Sequence, residues 1–413
     1  MERTVLPGRI DGRLTPPSSK SYAQRALAAA LLTGVGTVLR GVGDCSDTRS
    51  ALACIRTLGA EVQTEGDTYR IAGGLDPQGS VLHVGESGLA ARLFTPIAAC
   101  AGRPIRIEGE GSLLDRPMTM MIEPLRKLGA SVHHREGFLP FEVCGPLHGG
   151  EIEVDGSVSS QFITGLLLAL PTAAADTTLH VHDAVSIPYL DMTIDTASRF
   201  GVEIFQKEYR EFFIPGGQQY RPVDLTIEGD WSAAAMLLVA GAVAGRVRVE
   251  NISPLSKQAD TAILQALVRA GAFVIDEADA ITAEQRPLHG FTFDATQCPD
   301  LFPALAALAA AAEGETTLIG TRRLIHKESN RAEAICREYG KLGIEVDCSQ
   351  ENVMRIRGGA IRAARVDSCN DHRMAMSLAV AGLLADAPIT ISGTKCVAKS
   401  YPDFFEELDR LRK

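Results

Sequence analysis

The chain has 413 residues, of which 46% are hydrophobic and 22% charged, and its formal net charge is −10. This length and composition suffice to bury a full core, and we expect two or more domains. The excess of acidic over basic residues disfavours nucleic acid or an anionic membrane surface as the partner. The composition is that of a soluble globular protein, in which a locally basic cleft is still allowed.

Cysteine use and the apolar runs bear on the cellular compartment. The nine cysteines form an odd, scattered set without a C-x-x-C pair, which is typical neither of a disulfide framework nor of a zinc site. The first residues lack the apolar core of a signal peptide, and the longest apolar runs, such as 233–245 and 301–312, are shorter than a bilayer span. We therefore expect a cytoplasmic protein that is not bound to a membrane.

The first predicted helix begins near Lys20. Two prolines, which cannot lie inside a helix, and two serines suited to capping precede it. A helix N-terminus carries unpaired N–H groups and a partial positive charge, so Lys20, Ser21 and Arg25 beside it would form an anion pocket. An ordinary capped helix with surface charges explains this stretch equally well, and the rest of the chain has to decide between the two.

A helix, a glycine and a strand recur along the chain with an even period. Glycine suits the left-handed conformation that ends a helix, and the β-branched residues that follow it suit a strand. The glycines are Gly59, Gly129, Gly201, Gly271 and Gly343, at spacings of 70, 72, 70 and 72 residues. A second helix, whose Ala/Leu-rich sequence is typical of burial on most sides, recurs at the same period. Its copies are 19–34, 87–102, 159–171, 230–245, 300–314 and 370–386.

Six α/β units of about 70 residues exceed what one core usually holds, so we expect two lobes of three units each. A strand-like segment, 3–6, stands before the first unit, and the helix 404–411 of the last unit has no strand after it. We infer that the N-terminal strand completes the sixth unit. This places residues 1–13 and 227–413 in a C-terminal lobe and residues 14–226 in an inserted N-terminal lobe. Two hinge strands would let the lobes close on a ligand.

Polar and cationic residues cluster at the predicted starts of the buried helices and in nearby loops. If these helices run side by side, their N-termini converge on the cleft between the lobes. Each cluster has a structural alternative, namely a turn for 109–117, an N-cap for 157–162, a solvated charged face for 326–331 and a cap for 370–376. The cations at these places and in 397–403 are Lys20, Arg25, Arg116, Lys327, Arg331, Arg373 and Lys399, and the carboxylates are Asp300 and Glu328.

Such a set suits two anionic substrates, with the carboxylates left to move protons. The sequence has no G-x-x-x-x-G-K-[ST] loop, no G-x-G-x-x-G after a predicted strand and no His/carboxylate metal cluster. ATP hydrolysis, dinucleotide chemistry and a metal mechanism are therefore disfavoured.

Seven short motifs follow one another in order from residue 16 to residue 405. They are Pro17-Ser18-Ser19-Lys20-Ser21 with Arg25, Asp115-Arg116-Pro117-Met118, Ser159-Ser160-Gln161-Phe162, Ser186-Ile187-Pro188-Tyr189, Lys327-Glu328-Ser329-Asn330-Arg331, Asn370-Asp371-His372-Arg373-Met374 and Lys399-Ser400-Tyr401-Pro402-Asp403. Together they resemble the EPSP synthase family. The resemblance implies an α/β protein of two lobes, each of three βαβαββ units in an inside-out α/β barrel, joined by a two-strand hinge.

The resemblance also implies a reaction. The enolpyruvyl group of phosphoenolpyruvate would pass to the 5-hydroxyl of shikimate 3-phosphate, with release of phosphate, in the shikimate pathway of aromatic amino acid biosynthesis. Addition and elimination would run through a tetrahedral intermediate without a metal or an organic cofactor, and we expect a monomer. Asp300 would take the hydroxyl proton, Glu328 would protonate the methylene, and Lys20 would touch both substrates.

Each substrate has its own implied set of residues. Shikimate 3-phosphate would be bound by Lys20, Ser21, Arg25, Ser159, Ser160, Gln161, Ser186, Tyr189, Asp300 and Lys327. Phosphoenolpyruvate would be bound by Lys20, Gly88, Arg116, Gln161, Lys327, Arg331, Arg373 and Lys399.

The chain departs from the family's pattern in two places. The phosphoenolpyruvate-side loop of the family commonly reads Asn-x-Gly-Thr, whereas here it is Glu86-Ser87-Gly88-Leu89, which adds a negative charge near an anion and removes a hydroxyl. This change bears on phosphoenolpyruvate affinity and on sensitivity to the inhibitor glyphosate. Arg323 stands where the family often has an Asn that faces shikimate 3-phosphate.

Two other functions fit parts of the pattern. The related transferase that acts on UDP-N-acetylglucosamine usually carries a cysteine in a mobile loop, where this chain has 113–116 and no cysteine between Cys100 and Cys144. The second alternative is a catalytically inactive repeat protein that binds an anionic metabolite. It gains nothing from carboxylates in its site, so the presence of Asp300 and Glu328 argues against it.

Overall fold

The structure is a computed structural model that describes residues 1–157, 159–325 and 327–413. Val158 and His326, which belong to two of the clusters identified in the sequence, lie outside the described residues. Within the described ranges no helix is both long enough and apolar enough to cross a membrane.

The described chain divides into two compact units. The N-terminal unit is Ser18–Glu228, and the C-terminal unit is Met1–Pro17 together with Gly229–Lys413. The two crossings of the chain lie a few residues beyond the boundaries expected from the sequence, 13/14 and 226/227.

The helices alternate along most of the chain between a buried helix and a half-exposed outer helix. The odd-numbered ones are the Ala/Leu-rich helices, and nearly all of their residues are buried, as the sequence predicts. The helices are α1 (Lys20–Leu32), α2 (Ser46–Thr57), α3 (Gly88–Ala99), α4 (Ile122–Lys127), α5 (Ser160–Ala169), α6 (Ile187–Arg199), α7 (Trp231–Ala244), α8 (Ile263–Arg269), α9 (Phe302–Ala310), α10 (Arg331–Lys341), α11 (His372–Gly382) and α12 (Phe404–Arg410).

Side-chain caps explain where most of the buried helices begin. In each case the capping oxygen accepts a hydrogen bond from a backbone N–H of the first turn, which would otherwise lack a partner. The capping residues are Ser19, Ser87, Ser159, Asp230 and Asp371. Helix α9 begins differently, after a 3-10 turn at Pro299–Leu301.

The strands are short and belong to small sheets. They are β1 (Glu2–Val5), β2 (Ile10–Leu14), β3 (Thr37–Arg40), β4 (Ala60–Glu65), β5 (Thr68–Gly73), β6 (Val81–His83), β7 (Ile105–Glu108), β8 (Ser131–Arg135), β9 (Phe138–Cys144), β10 (Gly150–Asp155), β11 (Thr177–His182), β12 (Phe205–Lys207), β13 (Glu211–Ile214), β14 (Asp224–Thr226), β15 (Gly245–Glu250), β16 (Phe273–Asp276), β17 (Ala280–Glu284), β18 (Thr292–Asp294), β19 (Glu315–Ile319), β20 (Glu345–Asp347), β21 (Val353–Arg357), β22 (Arg365–Asp367) and β23 (Ile389–Ser392).

Each sheet of the N-terminal unit starts with a parallel pair and continues antiparallel. The strand orders are β14-β3-β5-β4, β6-β7-β9-β8 and β10-β11-β13-β12. A buried helix joins the parallel strands of the last two sheets, and an outer helix leads into the antiparallel hairpin. This order is the βαβαββ repeat, and β14 closes the first repeat from the far end of the unit.

The C-terminal unit repeats this pattern. Its strand orders are β2-β15-β17-β16, β18-β19-β21-β20 and β22-β23-β1. Strand β1 runs antiparallel to β23, so the N-terminal segment supplies a strand to the last sheet. Two units that each contain βαβαββ repeats confirm the fold class expected from the sequence.

The glycines that follow the outer helices adopt the conformation expected of helix stops. Their φ angles are 117° at Gly59, 98° at Gly129, 77° at Gly201, 88° at Gly271 and 85° at Gly343. A side chain with a Cβ atom is disfavoured in this left-handed region, which is why glycine recurs there.

The buried helices of each unit pack on one another. In the N-terminal unit α3 contacts both α1 and α5, and in the C-terminal unit α7, α9 and α11 contact each other. The packing brings together the starts of helices that are about 70 residues apart in the sequence, and the candidate site residues lie at these starts.

Candidate active site

Lys20 is the first residue of α1, and its charge is paired. Its Nζ lies 2.9 Å from Oδ2 of Asp47, in the first turn of α2, and both residues are buried. An anion that binds here therefore competes with a carboxylate that already contacts the ammonium group. Sequence reasoning did not identify Asp47, because an acidic residue in a first helical turn is common for structural reasons alone.

Arg25 ties the buried helix α1 to its neighbours α5 and α6. Its guanidinium donates to the side-chain oxygens of Thr193 and Thr164 at 2.9 and 3.2 Å, and to the backbone oxygens of Ser21 and Tyr189 at 2.8 and 3.2 Å. Among the described residues, no carboxylate forms an ion pair with it. Burial lowers its pKa to about 10, so it remains charged at neutral pH. The result is a buried positive charge balanced by neutral dipoles.

The remaining residues of the N-terminal unit expected to bind shikimate 3-phosphate lie at the starts of α1, α5 and α6, the three helices that Arg25 contacts. Ser159 caps α5, and Ser160 is the first, buried residue of that helix. Ser186 precedes α6 with a left-handed φ of 56°, and Tyr189 is in the first turn of α6, its ring 6.0 Å from the Arg25 guanidinium carbon. The N-terminal unit thus brings together the starts of three helices next to one cation.

Two further guanidinium groups, those of Arg92 and Arg116, lie near the start of α3. Arg92 is buried and donates to Gln161 Oε1 at 2.8 Å and to the backbone oxygen of Pro117 at 3.1 Å. Burial and the nearby charge of Arg116 hold the pKa of Arg92 well below its usual range. The Nε of Arg116 is buried and has no hydrogen-bond partner in the described part of the chain. These two cations form an electropositive cluster with Gln161.

Gly88 is needed where the Arg116 guanidinium packs. A Cβ atom at this position would lie 2.5 Å from NH1 of Arg116 and 2.9 Å from its guanidinium carbon. The sequence associates this glycine with close approach of phosphoenolpyruvate. In the structure, it is Arg116 that occupies the space next to the glycine.

The two substitutions in this loop have specific environments. Glu86 Oε2 accepts a hydrogen bond from Ser112 Oγ at 3.0 Å, and a Cβ on Gly111, whose φ is 55°, would collide with the Glu86 carboxylate. Leu89 is 8% exposed and belongs to the hydrophobic core. The added negative charge thus contacts the glycine-rich loop that leads to Arg116, and the added leucine contributes to packing.

In the C-terminal unit, Arg331 is the centre of an ion-pair network. It is fully buried, and its Nε, NH1 and NH2 atoms each lie 2.7 Å from a carboxylate oxygen. Burial alone would lower the pKa of Arg331, but the carboxylates hold this pKa well above its usual range. The Nε atom pairs with Asp371, NH1 with Asp300 and NH2 with Glu328.

Asp300 lies among cations. Its Oδ1 is 3.1 Å from Lys327 Nζ and 2.7 Å from Arg331, and its Oδ2 is 3.2 Å from Arg373. Burial by itself would raise the pKa of Asp300, but these cations hold it well below its usual range. The carboxylate is therefore ionised at neutral pH and a weak base for as long as the cations have no other anion to neutralise them.

Glu328 and Lys399 extend the same network. Glu328 accepts from Arg331 NH2 at 2.7 Å, and its other oxygen lies 3.8 Å from Lys399 Nζ. Both side chains are about one-tenth exposed, so they remain accessible to a ligand. The structure thus brings together two carboxylates and four cations that the sequence had grouped, namely Asp300, Glu328, Lys327, Arg331, Arg373 and Lys399.

Arg373 is held from two further sides at the start of α11. Its NH2 donates to Ser232 Oγ at 2.9 Å, and its NH1 lies 2.9 Å from Nε2 of the buried His372. Because a guanidinium can only donate, Nε2 of His372 is the acceptor in this contact. Ser232 also donates to Asp260, a buried carboxyl that is 1% exposed.

Besides Asp47, sequence reasoning missed two further site-forming residues, Arg92 and Asp260. Arg373 was identified as a site residue because it is an arginine inside an Ala/Leu-rich helix. Arg92 has the same position in its helix, so the same pattern would have identified Arg92. Asp260 has no comparable signal, because it lies in a short 3-10 turn at Ala259–Ala262 and meets the site only through tertiary packing. Arg323 lies on a similar turn, Thr321–Leu324. The pKa of Lys327 is lowered mainly by burial, and the charge of Arg323 adds to this lowering.

Comparisons with known proteins first define the class. The fold is that of enolpyruvyl transferases, since the structure of NikO from Streptomyces tendae aligns with a TM-score of 0.79 at 19% identity and covers 99% of this chain and 96% of its own. A structure of EPSP synthase from Acinetobacter baumannii aligns with a TM-score of 0.85 at 27% identity, over 100% of this chain and 98% of the other.

The sequence comparisons identify the family. The family model for EPSP synthase (3-phosphoshikimate 1-carboxyvinyltransferase) matches residues 6–408. The 3-phosphoshikimate 1-carboxyvinyltransferase of Aeropyrum pernix is 37% identical over 408 residues, which are 98% of this chain and 95% of that protein. That of Salmonella schwarzengrund is 37% identical over 417 residues, at 98% and 97% coverage. This chain belongs to the EPSP synthase family, which confirms the resemblance seen in its motifs.

Proposed function

We propose that this protein transfers the enolpyruvyl group of phosphoenolpyruvate to the 5-hydroxyl of shikimate 3-phosphate and releases phosphate, in the cytoplasm and as a monomer. One observation carries the proposal beyond family membership. Asp300 and Glu328 lie in a single network with the cations Lys327, Arg331, Arg373 and Lys399. Such an arrangement suits a reaction that joins anionic substrates and moves protons between them.

The N-terminal unit is assigned mainly to shikimate 3-phosphate. Its phosphate and hydroxyl groups would be bound by Lys20, Ser21, Arg25, Ser159, Ser160, Gln161, Ser186 and Tyr189, with Asp300 and Lys327 reaching the substrate from the C-terminal unit. The buried charge of Arg25, which has neutral partners, favours an anion close to these helix starts.

Phosphoenolpyruvate is assigned to cations of both units. Lys20, Gly88, Arg116 and Gln161 would bind it from the N-terminal unit, and Lys327, Arg331, Arg373 and Lys399 from the C-terminal unit. Arg116 is well suited to gain from an added anion, because its buried Nε has no partner among the described residues. Arg331 is already paired, so a ligand carboxylate would have to share it with Asp371 or displace Asp300 or Glu328.

The proton steps follow from this competition. When phosphoenolpyruvate neutralises the cations around Asp300, the pKa of that carboxylate rises and it becomes able to take the proton of the 5-hydroxyl. The alkoxide oxygen then bonds to the enol carbon while Glu328, which must carry a proton for this step, protonates the methylene. A tetrahedral intermediate results, in which the methylene has become a methyl group. The reverse proton transfers complete the reaction: Glu328 takes back one methyl proton, Asp300 returns its proton to the departing phosphate, and the double bond is restored.

The test is phosphate release with a choice of acceptors. The purified protein is incubated with phosphoenolpyruvate and either shikimate 3-phosphate or UDP-N-acetylglucosamine, with and without EDTA. We expect phosphate release when the acceptor is shikimate 3-phosphate and none when it is UDP-N-acetylglucosamine. The rate should be the same with EDTA as without it, since no assigned residue requires a metal. Release driven by UDP-N-acetylglucosamine, or none with either acceptor, would contradict the proposal.

A further inference from the structure

Two thiols of the C-terminal unit face each other outside the set of residues assigned to substrates. Cys336 Sγ, on α10, lies 2.8 Å from Sγ of Cys348, which directly follows β20. Both cysteines are unpaired by disulfides and half-buried, so small reagents can reach them. Sequence spacing gave no sign of the pair, because the residues are 12 apart and are brought together by packing of α10 on β20.

The contact makes the two thiols chemically different. A hydrogen bond from Cys348 lowers the pKa of Cys336, and the same bond together with burial raises the pKa of Cys348. The thiolate is the nucleophile in disulfide exchange. Cys336 is therefore the attacking thiol, and Cys348 is placed to resolve whatever mixed disulfide forms on it.

We propose that Cys336 and Cys348 form a dithiol site that low-molecular-weight disulfides oxidise to an intrachain disulfide. In the first step the Cys336 thiolate attacks one sulfur of the reagent, forms a mixed disulfide and releases one reagent thiolate. In the second step the Cys348 sulfur attacks the Cys336 sulfur, gives up its proton and releases the other reagent thiolate. The protein loses two hydrogens and the reagent disulfide is reduced to two thiols. This site does not depend on the proposed function.

The test uses glutathione disulfide and mass spectrometry. After incubation and alkylation, tryptic peptides 332–337 and 342–355 should be found joined, with the protein lighter by about 2 Da from loss of two hydrogens before alkylation, and dithiothreitol should reverse the change. The same disulfide should form in Cys144→Ser, which removes a half-buried cysteine elsewhere. In Cys348→Ser, Cys336 should instead retain a glutathione adduct.

Two results would overturn the dithiol site. One is wild-type protein in which peptides 332–337 and 342–355 stay unlinked after treatment. The other is linkage of Cys336 to Cys369, whose sulfur accepts from the neighbouring Arg337 at 2.8 Å and which is the rival partner.

A different observation supports a second inference, at Asp260. This carboxyl is 1% exposed, and its Oδ1 has no hydrogen-bond partner among the described residues. Its Oδ2 accepts from Ser232, whose hydroxyl has one proton and therefore must use a lone pair towards Arg373 NH2, 2.9 Å away. The same Arg373 nitrogen lies 3.2 Å from Asp300. Asp260 thus fixes the direction of the hydroxyl that holds Arg373.

We infer that Asp260 is a positioning residue that holds the Arg373 guanidinium through Ser232. The inference rests on the proposed function, because Arg373 is assigned there to phosphoenolpyruvate. Removing the carboxyl leaves Ser232 free to turn its proton towards Arg373, and the guanidinium then loses an acceptor.

The kinetic test separates the two substrates. Asp260→Ala and Ser232→Ala should each raise the KM for phosphoenolpyruvate about tenfold, the cost of one hydrogen bond to a charged group, and leave the KM for shikimate 3-phosphate within about twofold. The double variant should be no worse than either single variant, because both changes break the same link. Asp260→Asn, which keeps an oxygen acceptor, should recover most of the affinity, and the exposed Asp276→Asn serves as the control.

The outcomes distinguish this inference from the proposed function. Wild-type protein without activity on shikimate 3-phosphate would defeat the proposed function itself. Active wild-type protein with additive effects of the two variants, or with equal loss for both substrates, would overturn the role of Asp260.

Discussion

At the scale of single residues, each unit carries buried guanidinium groups, and these groups differ in their partners. Arg25 is held by neutral oxygens, Arg331 by carboxylates, and Arg92 lies beside the cation Arg116. A ligand anion gains most where a cation lacks a carboxylate and gains least where it must displace one. Arg25 and Arg92 should therefore gain more from an added anion than Arg331 does.

Glu328→Gln should separate catalysis from binding. Glutamine fills the same space but cannot deliver a proton, so we expect kcat to fall roughly 10²- to 10⁴-fold, the usual range for general acid catalysis. The KM values should change little, because the cations that bind the substrates remain. Steady-state kinetics of this variant and of the control Glu333→Gln, an exposed residue of α10, would check this. Equal loss in both variants, or none in either, would remove Glu328 from the proton steps.

Asp260→Asn should change how stability depends on pH. Burial and the nearby Asp300 raise the pKa of Asp260 to about 7 from 3.8, with Arg373 and Ser232 opposing and Asp230 adding to the rise. A carboxyl whose pKa is higher in the folded state contributes stability at low pH, and the contribution is lost as pH rises through the folded pKa. As the pH rises from 3.8 to about 7, the free energy of unfolding of wild-type protein should fall relative to that of the variant, by up to about 4 kcal/mol in total.

Denaturant unfolding of both proteins at several pH values measures this difference in the free energy of unfolding. The difference should be constant above pH 7.5 or so, where the carboxyl is ionised in both states. A difference that does not vary between pH 4 and 7 would show that Asp260 titrates normally.

The sequence predicted which residue types would meet at the site, but not how they would pair. Asp300, Glu328 and Arg373 were identified because each stands at the start of a repeated element or in a family motif. Asp47 and Asp260 were not, because their importance comes from contacts with Lys20 and Ser232 across different helices. Contacts of this kind depend on tertiary packing, which local sequence patterns do not report.

At the scale of elements, the glycine-rich loop and the start of α3 form one structure. Glu86 contacts Ser112 and Gly111 in the loop, and the loop ends at Arg116, which packs on Gly88. The sequence suggested that Glu86 opposes an anion in the site. In the structure this carboxylate accepts a hydrogen bond from Ser112 of the loop.

Gly88→Ala should disturb Arg116 without unfolding α3. Alanine is a better helix former than glycine, but its Cβ would lie 2.5 Å from Arg116 NH1, so the guanidinium has to move. We expect the KM for phosphoenolpyruvate to rise about tenfold, since the guanidinium proposed to bind this substrate is displaced, with the KM for shikimate 3-phosphate and the melting temperature nearly unchanged.

Gly36→Ala is the matched control, because a Cβ there meets no atom within 4 Å. If both glycine variants behave like wild-type protein, the close packing of Arg116 on Gly88 does not matter to binding.

The repeated elements were the part of the fold that the sequence predicted best. Helix, glycine and strand recur at nearly equal spacing, and the left-handed φ angles at Gly59 and Gly343 follow from the need to end a helix sharply. The sequence predicted a hinge strand in the region of β2, but not its pairing with β15, which lies more than 200 residues later. Such long-range pairing leaves little trace in a local pattern.

At the scale of the whole molecule, the chain passes between its two units twice. Ser19 N–H donates to the Glu228 oxygen in the N-terminal unit, and Asp230 N–H donates to the Pro17 oxygen in the C-terminal unit, both at 2.8 Å. Substrate residues are assigned to both units, so binding of both substrates should hold the units in one arrangement.

Small-angle scattering would test this directly. We expect a smaller radius of gyration with both ligands present, using shikimate 3-phosphate and a non-reacting analogue of phosphoenolpyruvate, than with either ligand alone. Closing the units on the ligands excludes water from the reacting groups. An unchanged radius in all samples would count against closure.

The most direct measurement follows hydrogen at the transferred methylene. The protein is incubated with phosphoenolpyruvate and shikimate 3-phosphate in deuterium oxide, and the product is examined by proton NMR. Addition and elimination through a methyl group predicts deuterium in the vinyl methylene of the enolpyruvyl product, with one phosphate released for each product formed. A product whose vinyl methylene carries no deuterium, or phosphate released without shikimate 3-phosphate, would contradict the proposed reaction.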